Sequence, residues 1–412
     1  MSDEEFYELQ PTILPEQCNA TENLDRVAYL AQHAIINWPN FTQCLPNCGL
    51  CTSFTSEPTY MVFNLLVIGI LLPFISLCGL FGNAISAFVY SRRAMRSSTN
   101  SYLCALGCSD NAVICTAIFV FFIDSIRRYS LRLSIIYGIF APVVYPAGMI
   151  AQTSSVYFTL SAALDCFVQV CLPERFHRFC SKISIAKITI LSVLIFSVLY
   201  NVPHFFEAVV LECWHAQFLS RSLEVCPTPL RFEPTYQQIY YKYMYSIFLA
   251  IGPLVFLVIL NVFIIGASLL KSKNGSSNGD NMALILVVLL FIKCNMVALI
   301  LNIFENRLQE ILGWKMNYVV DISNLLVVFN SSFNFVIYYK FSAPFRHTLC
   351  QYFATGDSKN DSKDSSPTKC IVKVSTDGQK ASISSYANGN AERSVSTYFE
   401  YLDPRCPIVQ QM

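Results

Sequence analysis

Seven stretches of this chain are long enough to cross a lipid bilayer as helices and are almost free of charge. They run approximately Met61–Tyr90, Ser97–Ile123, Leu133–Leu164, Ile188–Phe206, Tyr243–Leu270, Asn281–Phe304 and Ile322–Tyr339, broken only by Asp110 and Lys293. A hydrocarbon core about 30 Å thick takes about 20 residues of helix, and it offers no water to an unpaired backbone. Such segments should therefore be helical, because a closed barrel would show alternating segments of about ten residues. The expected fold class is an all-α membrane protein, a seven-transmembrane helix bundle. Only 13% of the 412 residues are charged and 54% are hydrophobic, whereas an ordinary soluble domain carries about 25% charge. The net charge of +1 argues against a phosphate-neutralising surface, so no nucleic-acid partner is expected.

The chain divides into an N-terminal segment, 1–60, a membrane domain, 61–352, and a tail, 353–412. Arg92, Arg93 and Arg96 follow span one, Arg175, Arg178, Lys182 and Lys187 follow span three, and Lys271 and Lys273 follow span five. Loops rich in Lys and Arg stay in the cytoplasm, which puts the N-terminus outside and the C-terminus inside. The sequons at Asn19 and Asn40 agree with an outside N-terminus and are candidate glycosylation sites. Cys18, Cys44, Cys48, Cys51, Cys213 and Cys226 then lie in an oxidising compartment, where two or three disulfides are expected with open connectivity. After Tyr339 a run of basic and apolar residues fits a short amphipathic helix on membrane lipid, with Cys350 a candidate for lipidation. The tail is rich in Ser, Thr, Lys and Asp and should be disordered.

An ionisable group in mid-membrane is costly enough to signal function. Asp110 is such a group, and Asn83, Ser155, Asn330, Ser331 and Asn334 are polar at depths that can meet it. Their oxygens suit a small hard cation or, equally, a closed hydrogen-bond network. His177, His204, His215 and His347 are scattered without a partner at useful spacing, so neither an enzyme nor a metal centre is expected.

Gly82-Asn83, Leu106-Gly-Cys-Ser-Asp110, Asp165, Pro253 and Asn330-Ser-Ser-Phe-Asn334-Phe-Val-Ile-Tyr338 stand in register with the spans. The chain thereby resembles rhodopsin-class G-protein-coupled receptors. Gln152-Thr-Ser-Ser-Val-Tyr157, Pro203-His-Phe-Phe-Glu207, Pro229-Leu-Arg231 with Tyr236 and Tyr240, and Asn302-Ile-Phe-Glu305 are similar to invertebrate FMRFamide-type neuropeptide receptors. The resemblance implies a heterotrimeric G protein as partner, arrestin at the tail, plasma-membrane location, and a sodium ion as a candidate allosteric ligand at Asp110, Ser155, Asn330, Ser331 and Asn334. No other cofactor is implied. Asp165, Cys166, Phe167 and Tyr338 are the implied G-protein-facing positions.

Departures from the class are as informative. Its usual Arg after the span-three acid is Cys166, and a thiol cannot supply a guanidinium fork, which predicts altered coupling. Val297 stands where span six usually carries Pro, so the built-in kink should be missing. Lys293 replaces an aliphatic residue and is expected to be buried, either as a cation paired with Asp110, or lining a wet crevice, or neutral because desolvation disfavours its charge. The outer end of span three lacks the usual Cys, leaving Cys213 to pair with Cys226 or with an N-terminal Cys.

An Arg-Phe-amide peptide, the ligand the resemblance implies, needs carboxylates for its guanidinium and aromatic walls for its Phe. Candidates are Glu207, Glu212, Glu305 and Asp321 as acids, with Tyr236 and Tyr240, and also Tyr157 and Trp314, as aromatics. Rival readings are a non-signalling peptide-binding homologue and, less well supported, an ion transporter or channel.

Overall fold

The computed structural model describes residues 22–51, 57–272, 279–354, 369–373, 382–386 and 392–395. Seven helices long and apolar enough to cross a membrane run Pro58–Tyr90, Ser98–Arg127, Leu131–Cys171, Ile183–Phe206, Pro234–Leu270, Met282–Phe304 and Arg307–Phe341. Several extend past the apolar stretches, span five by starting at Pro234 and span seven at Arg307. Hydropathy marks the part of a helix that lies in lipid, whereas the hydrogen-bond ladder continues into water until a cap or turn stops it.

Apolar side chains gain close packing rather than escape from water when helices associate in lipid. Val156, Ala163, Leu254, Leu257, Leu260, Val288 and Phe291 knit spans three, five and six. Ile68, Leu72, Ile75, Ala117 and Val328 knit spans one, two and seven. Gly82 permits the second contact: a Cβ there would stand 2.8 Å from Phe335 Cβ, inside any tolerable contact. Beside it Asn83 Nδ2 donates to the Ser331 carbonyl at 2.7 Å. In span six Phe304 is non-helical (φ −110°, ψ 18°), about two turns past the expected Pro position. Around Val297 the ladder is unbroken, as the missing Pro predicts.

At one end of the bundle, helix α1 (Glu22–Gln32) and a small ribbon, β1 (Phe41–Thr42) with β2 (Leu45–Pro46), lie on a hairpin, β3 (Ala208–His215) with β4 (Ser220–Pro227). Disulfides Cys48–Cys213 and Cys51–Cys226 join the N-terminal segment to this hairpin, and Cys44 is disulfide-bonded too. Of the two partners open to Cys213, Cys226 is thus excluded. In the antiparallel register Cys213 faces Ser222 and Cys226 faces Val209, so the ladder itself holds the two thiols apart. Span three meets the hairpin without a disulfide, through Ser134 Oγ at 3.0 Å from Ser222 Oγ and Gly138 against Leu223.

A separate unit, residues 342–412, holds helix α2 (Ala343–Ala354). The tail, expected to be disordered, contains three antiparallel strands, β5 (Lys369–Lys373), β6 (Ser382–Tyr386) and β7 (Glu392–Val395). Ile371, Val372, Ile383 and Val395 give these strands the β-branched side chains that composition averaged over the tail conceals.

Candidate functional site

The hairpin end of the bundle is built from the N-terminal segment inward. Gly49 (φ +103°) turns the chain so that the Gly49, Leu50 and Cys51 amides converge on the Glu224 carboxylate at 2.8–3.2 Å. Convergent amides of this kind form an anion nest. Asn23 exchanges two hydrogen bonds with the Glu212 backbone, Arg26 donates to the Val210 carbonyl, and Val27, Leu30 and Ile36 pack on Leu211 and Cys226. Glu212, a candidate ligand acid, is exposed on the hairpin.

Two inward-facing regions lie beneath this cap. The first is a cavity of about 210 Å³ walled by Tyr60, Asn64, Val120, Asp124, Arg128 and Asp321, with Ser125 and Asn324 behind. Asp321 is only 8% exposed. Its Oδ2 accepts from Asn64 Nδ2 at 2.9 Å and from Tyr60 Oη at 3.1 Å, both neutral donors. Arg128 stands on the same wall with its Nε on the Ser125 carbonyl, so a cation is near, yet the hydrogen bonds to this buried carboxylate come from neutral groups alone. Tyr60 and Asn64 were absent from the expected site, although their four-residue spacing at the start of span one already places them on one helix face.

The second region surrounds Glu207, just beyond span four and 2% exposed. Burial opposes its ionisation, but His204, Tyr236 and Tyr241 outweigh burial and hold the carboxyl at about 2. Tyr236 Oη donates at 2.6 Å and Tyr241 Oη at 2.7 Å. His204 Nδ1 lies 3.1 Å away, an ion-pair distance without hydrogen-bond alignment. Tyr240 stacks on Tyr236 and on Tyr200, and its hydroxyl donates to the Tyr200 carbonyl at 2.8 Å. Expected as a free acid for ligand, Glu207 is instead the buried pivot that ties span four to span five. Tyr157 is likewise committed, donating to the Phe248 carbonyl at 2.9 Å. Deeper, Gln152, Thr153, Tyr245, Asn295 and Asn302 line a small crevice with Phe291 below. Trp314 packs on Tyr318, near Tyr60. Glu305 lies on the span-six helix, but its side chain is outside the described residues, as is the whole of Asn19. Asn40 is exposed.

In mid-bundle the expected polar group assembles. Asp110 is fully buried and accepts from Ser155 Oγ at 2.7 Å and Asn334 Nδ2 at 2.8 Å. Asn330 and Ser331 are buried on the same helix as Asn334. Asn83 Oδ1 and Asn334 Oδ1 have no hydrogen-bond donor, so acceptor oxygens outnumber donors around a carboxylate. That donor set fits a small hard cation.

Lys293 is not part of it. The lysine is exposed on the outside of span six, so its expected pairing with Asp110 is replaced by the neutral donors Ser155 and Asn334. Periodicity explains the miss: depth in the membrane is read from chain position, but the face a residue takes depends on how the helix is rotated in the bundle.

At the opposite end Asp165 gathers Ser98 Oγ (2.7 Å), Thr99 Oγ1 (2.6 Å), Gln169 Nε2 (2.8 Å) and Ser181 Oγ (2.9 Å). These bonds hold the start of span two and the loop after span three against span three. Expected to face a G protein, Asp165 and Cys166 are buried, Tyr338 is buried edge-on to Tyr90, and Phe167 is half-buried against Phe263. Cys350, a candidate for lipidation, is buried. No single sequence position signals the Asp165 cluster, because its donors come from separate segments.

The bundle, the buried Asp110 group and the span-one to span-seven contact at Gly82-Asn83 define a receptor architecture, and the family model described as "7 transmembrane receptor (rhodopsin family)" matches residues 82–338. The chain belongs to this family: it is a multi-pass plasma-membrane G-protein-coupled receptor, not an enzyme. Among particular relatives it is 41% identical over 324 residues to a Caenorhabditis elegans protein named "Probable G-protein coupled receptor frpr-1", covering 74% of this chain and 84% of that one. It is 33% identical over 321 residues to the FMRFamide receptor of Drosophila melanogaster, covering 72% of this chain and 56% of the relative. A third relative, the FMRFamide peptide receptor frpr-18 of C. elegans, is 29% identical over 294 residues, 67% and 66% of the two chains.

Proposed function

We propose that this receptor binds a neuropeptide of the Arg-Phe-amide type at the hairpin end of the bundle, facing the outside, and signals through heterotrimeric G proteins. The observation that carries the reading is Asp321: a buried carboxylate, held by neutral donors, on the wall of the cavity between spans one, two and seven. A guanidinium satisfies such a group with charge-assisted hydrogen bonds. Tyr60 offers the adjoining aromatic face, and Glu305 is kept as a proposed ligand acid on its sequence position alone. The names of the Drosophila and frpr-18 relatives support the peptide class. Glycosylation at Asn19 and Asn40 and an N-terminus outside the cell fit the disulfide-bonded cap, since disulfides persist in oxidising compartments.

Sodium is the proposed allosteric ligand at Asp110, where Ser155, Asn334 and the donor-free oxygen of Asn83 would complete its shell. Arrestin at the tail and membrane lipid along α2 complete the proposed partners. Coupling through Asp165-Cys166-Phe167 is proposed to be weaker than with an Arg, because the Asp165 cluster replaces the Asp-Arg pair as the resting restraint. The test is a panel of amidated and free-acid Arg-Phe peptides against cells expressing the full chain, read by G-protein and arrestin reporters. Activation by amidated peptides, lowered about tenfold or more in potency by Asp321→Asn, is expected, since one charge-assisted bond contributes about 1.5–3 kcal/mol. Binding without either signal would favour the non-signalling homologue, and unchanged potency in Asp321→Asn would remove that residue from the site.

A further inference from the structure

Lys293 sits midway along the 23-residue span Met282–Phe304, in the region where a charge is least tolerable. About 16 Å of helix separates it from either end, more than a lysine stem reaches, so its ammonium cannot snorkel to a headgroup. At about 100° per residue it points about 200° away from Phe291, whose ring is buried between spans three, five and six. Leu289, Met296, Ile300 and Ile303 are exposed on the same side, at helical spacing above and below it. Lys293 therefore lies in the lipid-facing stripe of span six. Among the described residues it has no ion pair or hydrogen bond.

We propose that this face of span six docks a transmembrane helix of a partner protein that carries a carboxylate at mid-membrane depth. Charge complementarity selects the occupant: an ammonium in hydrocarbon is best met by an acid at its own depth. Among the described residues a second copy of this chain offers none: their only acid in mid-bundle, Asp110, is fully buried and bonded to Ser155 and Asn334. Asp124, Asp165 and Asp321 lie toward span ends and bond within their own bundle. An apolar helix would leave the ammonium unmet.

The test reconstitutes the full chain in phosphatidylcholine vesicles with a labelled single-span helix of Leu and Ala carrying one Asp at its midpoint. Association is read by energy transfer against the same helix with Leu at that position. The Asp helix should associate about tenfold more tightly than the Leu helix, in line with the strength of interhelical polar contacts. Lys293→Leu should remove the difference, and Lys293→Arg should keep it. Equal association of the two helices, or an Asp preference that survives Lys293→Leu, overturns the proposal. Loss of the preference when a fifth of the lipid is phosphatidylglycerol also overturns it, by assigning the charge to anionic lipid. Peptide activation of Lys293→Leu, measured alongside, confirms that the variant is folded and separates this result from the peptide reading.

Discussion

Glu207→Gln removes a charge that the fold has buried and surrounded with donors. The gap between the ordinary carboxyl value of 4.5 and about 2 in the folded receptor corresponds to roughly 3 kcal/mol. Because the folded value is depressed, this stabilisation is complete above about 4.5 and is lost as pH falls towards 2, with roughly 2 kcal/mol gone by pH 3. Gln keeps the shape, but it offers one oxygen to two tyrosine hydroxyls that now approach at 2.6 and 2.7 Å. The variant should lose about 2 kcal/mol at pH 7, which lowers Tm by roughly 3 °C for a membrane domain of this size. Thermal unfolding of the detergent-solubilised full chain, followed by helical circular dichroism at pH 7 and pH 3, measures both figures. Tyr236→Phe and Tyr241→Phe should each cost about 1 kcal/mol alone and much less in the Gln background, since the partner is already altered. A Glu207→Gln receptor as stable as wild type at pH 7, or a deficit that is unchanged at pH 3, would refute the account of a stabilising buried carboxylate.

Other consequences follow from the cap, the mid-bundle group and the Asp165 end. Joint replacement of Cys48 and Cys51 by Ser should free the N-terminal segment from the hairpin and speed its cleavage by added protease several-fold; an unchanged rate would mean the Glu224 nest and the Leu211 cluster hold it alone. Asp110→Asn should abolish any dependence of peptide affinity on sodium, measured against a choline control, and a persisting dependence would place the ion elsewhere. Cys166→Arg should change basal signalling and agonist efficacy, read with a G-protein reporter; identical values would show that the Asp165 cluster suffices without a guanidinium.

Much of the candidate site was legible only as chemistry. Asp110 stood out because one carboxylate in an apolar stretch needs partners, and of the five named from depth Ser155 and Asn334 donate hydrogen bonds to it. The same reasoning failed for Lys293, which shares the depth but faces the other way. Glu207, Glu212 and Asp321 looked alike as acids near span ends. Folded, one is a buried pivot, one lies on an exposed hairpin, and one lines a cavity. In the sequence Glu224 is one of several loop acids, yet three amides converge on it.

Sequence alone determined that the chain spans a membrane seven times as helices, because the solvent inside a bilayer leaves the backbone no other local solution. It also determined which polar groups must be met there. The tertiary structure decided who meets them. Helix rotation, hairpin register and the route of the N-terminal segment set the partners of Cys213 and Asp321 and the outward face of Lys293, and each depends on packing between segments up to hundreds of residues apart. Local pattern fixes the period and the depth of a side chain; only the assembled bundle fixes its direction.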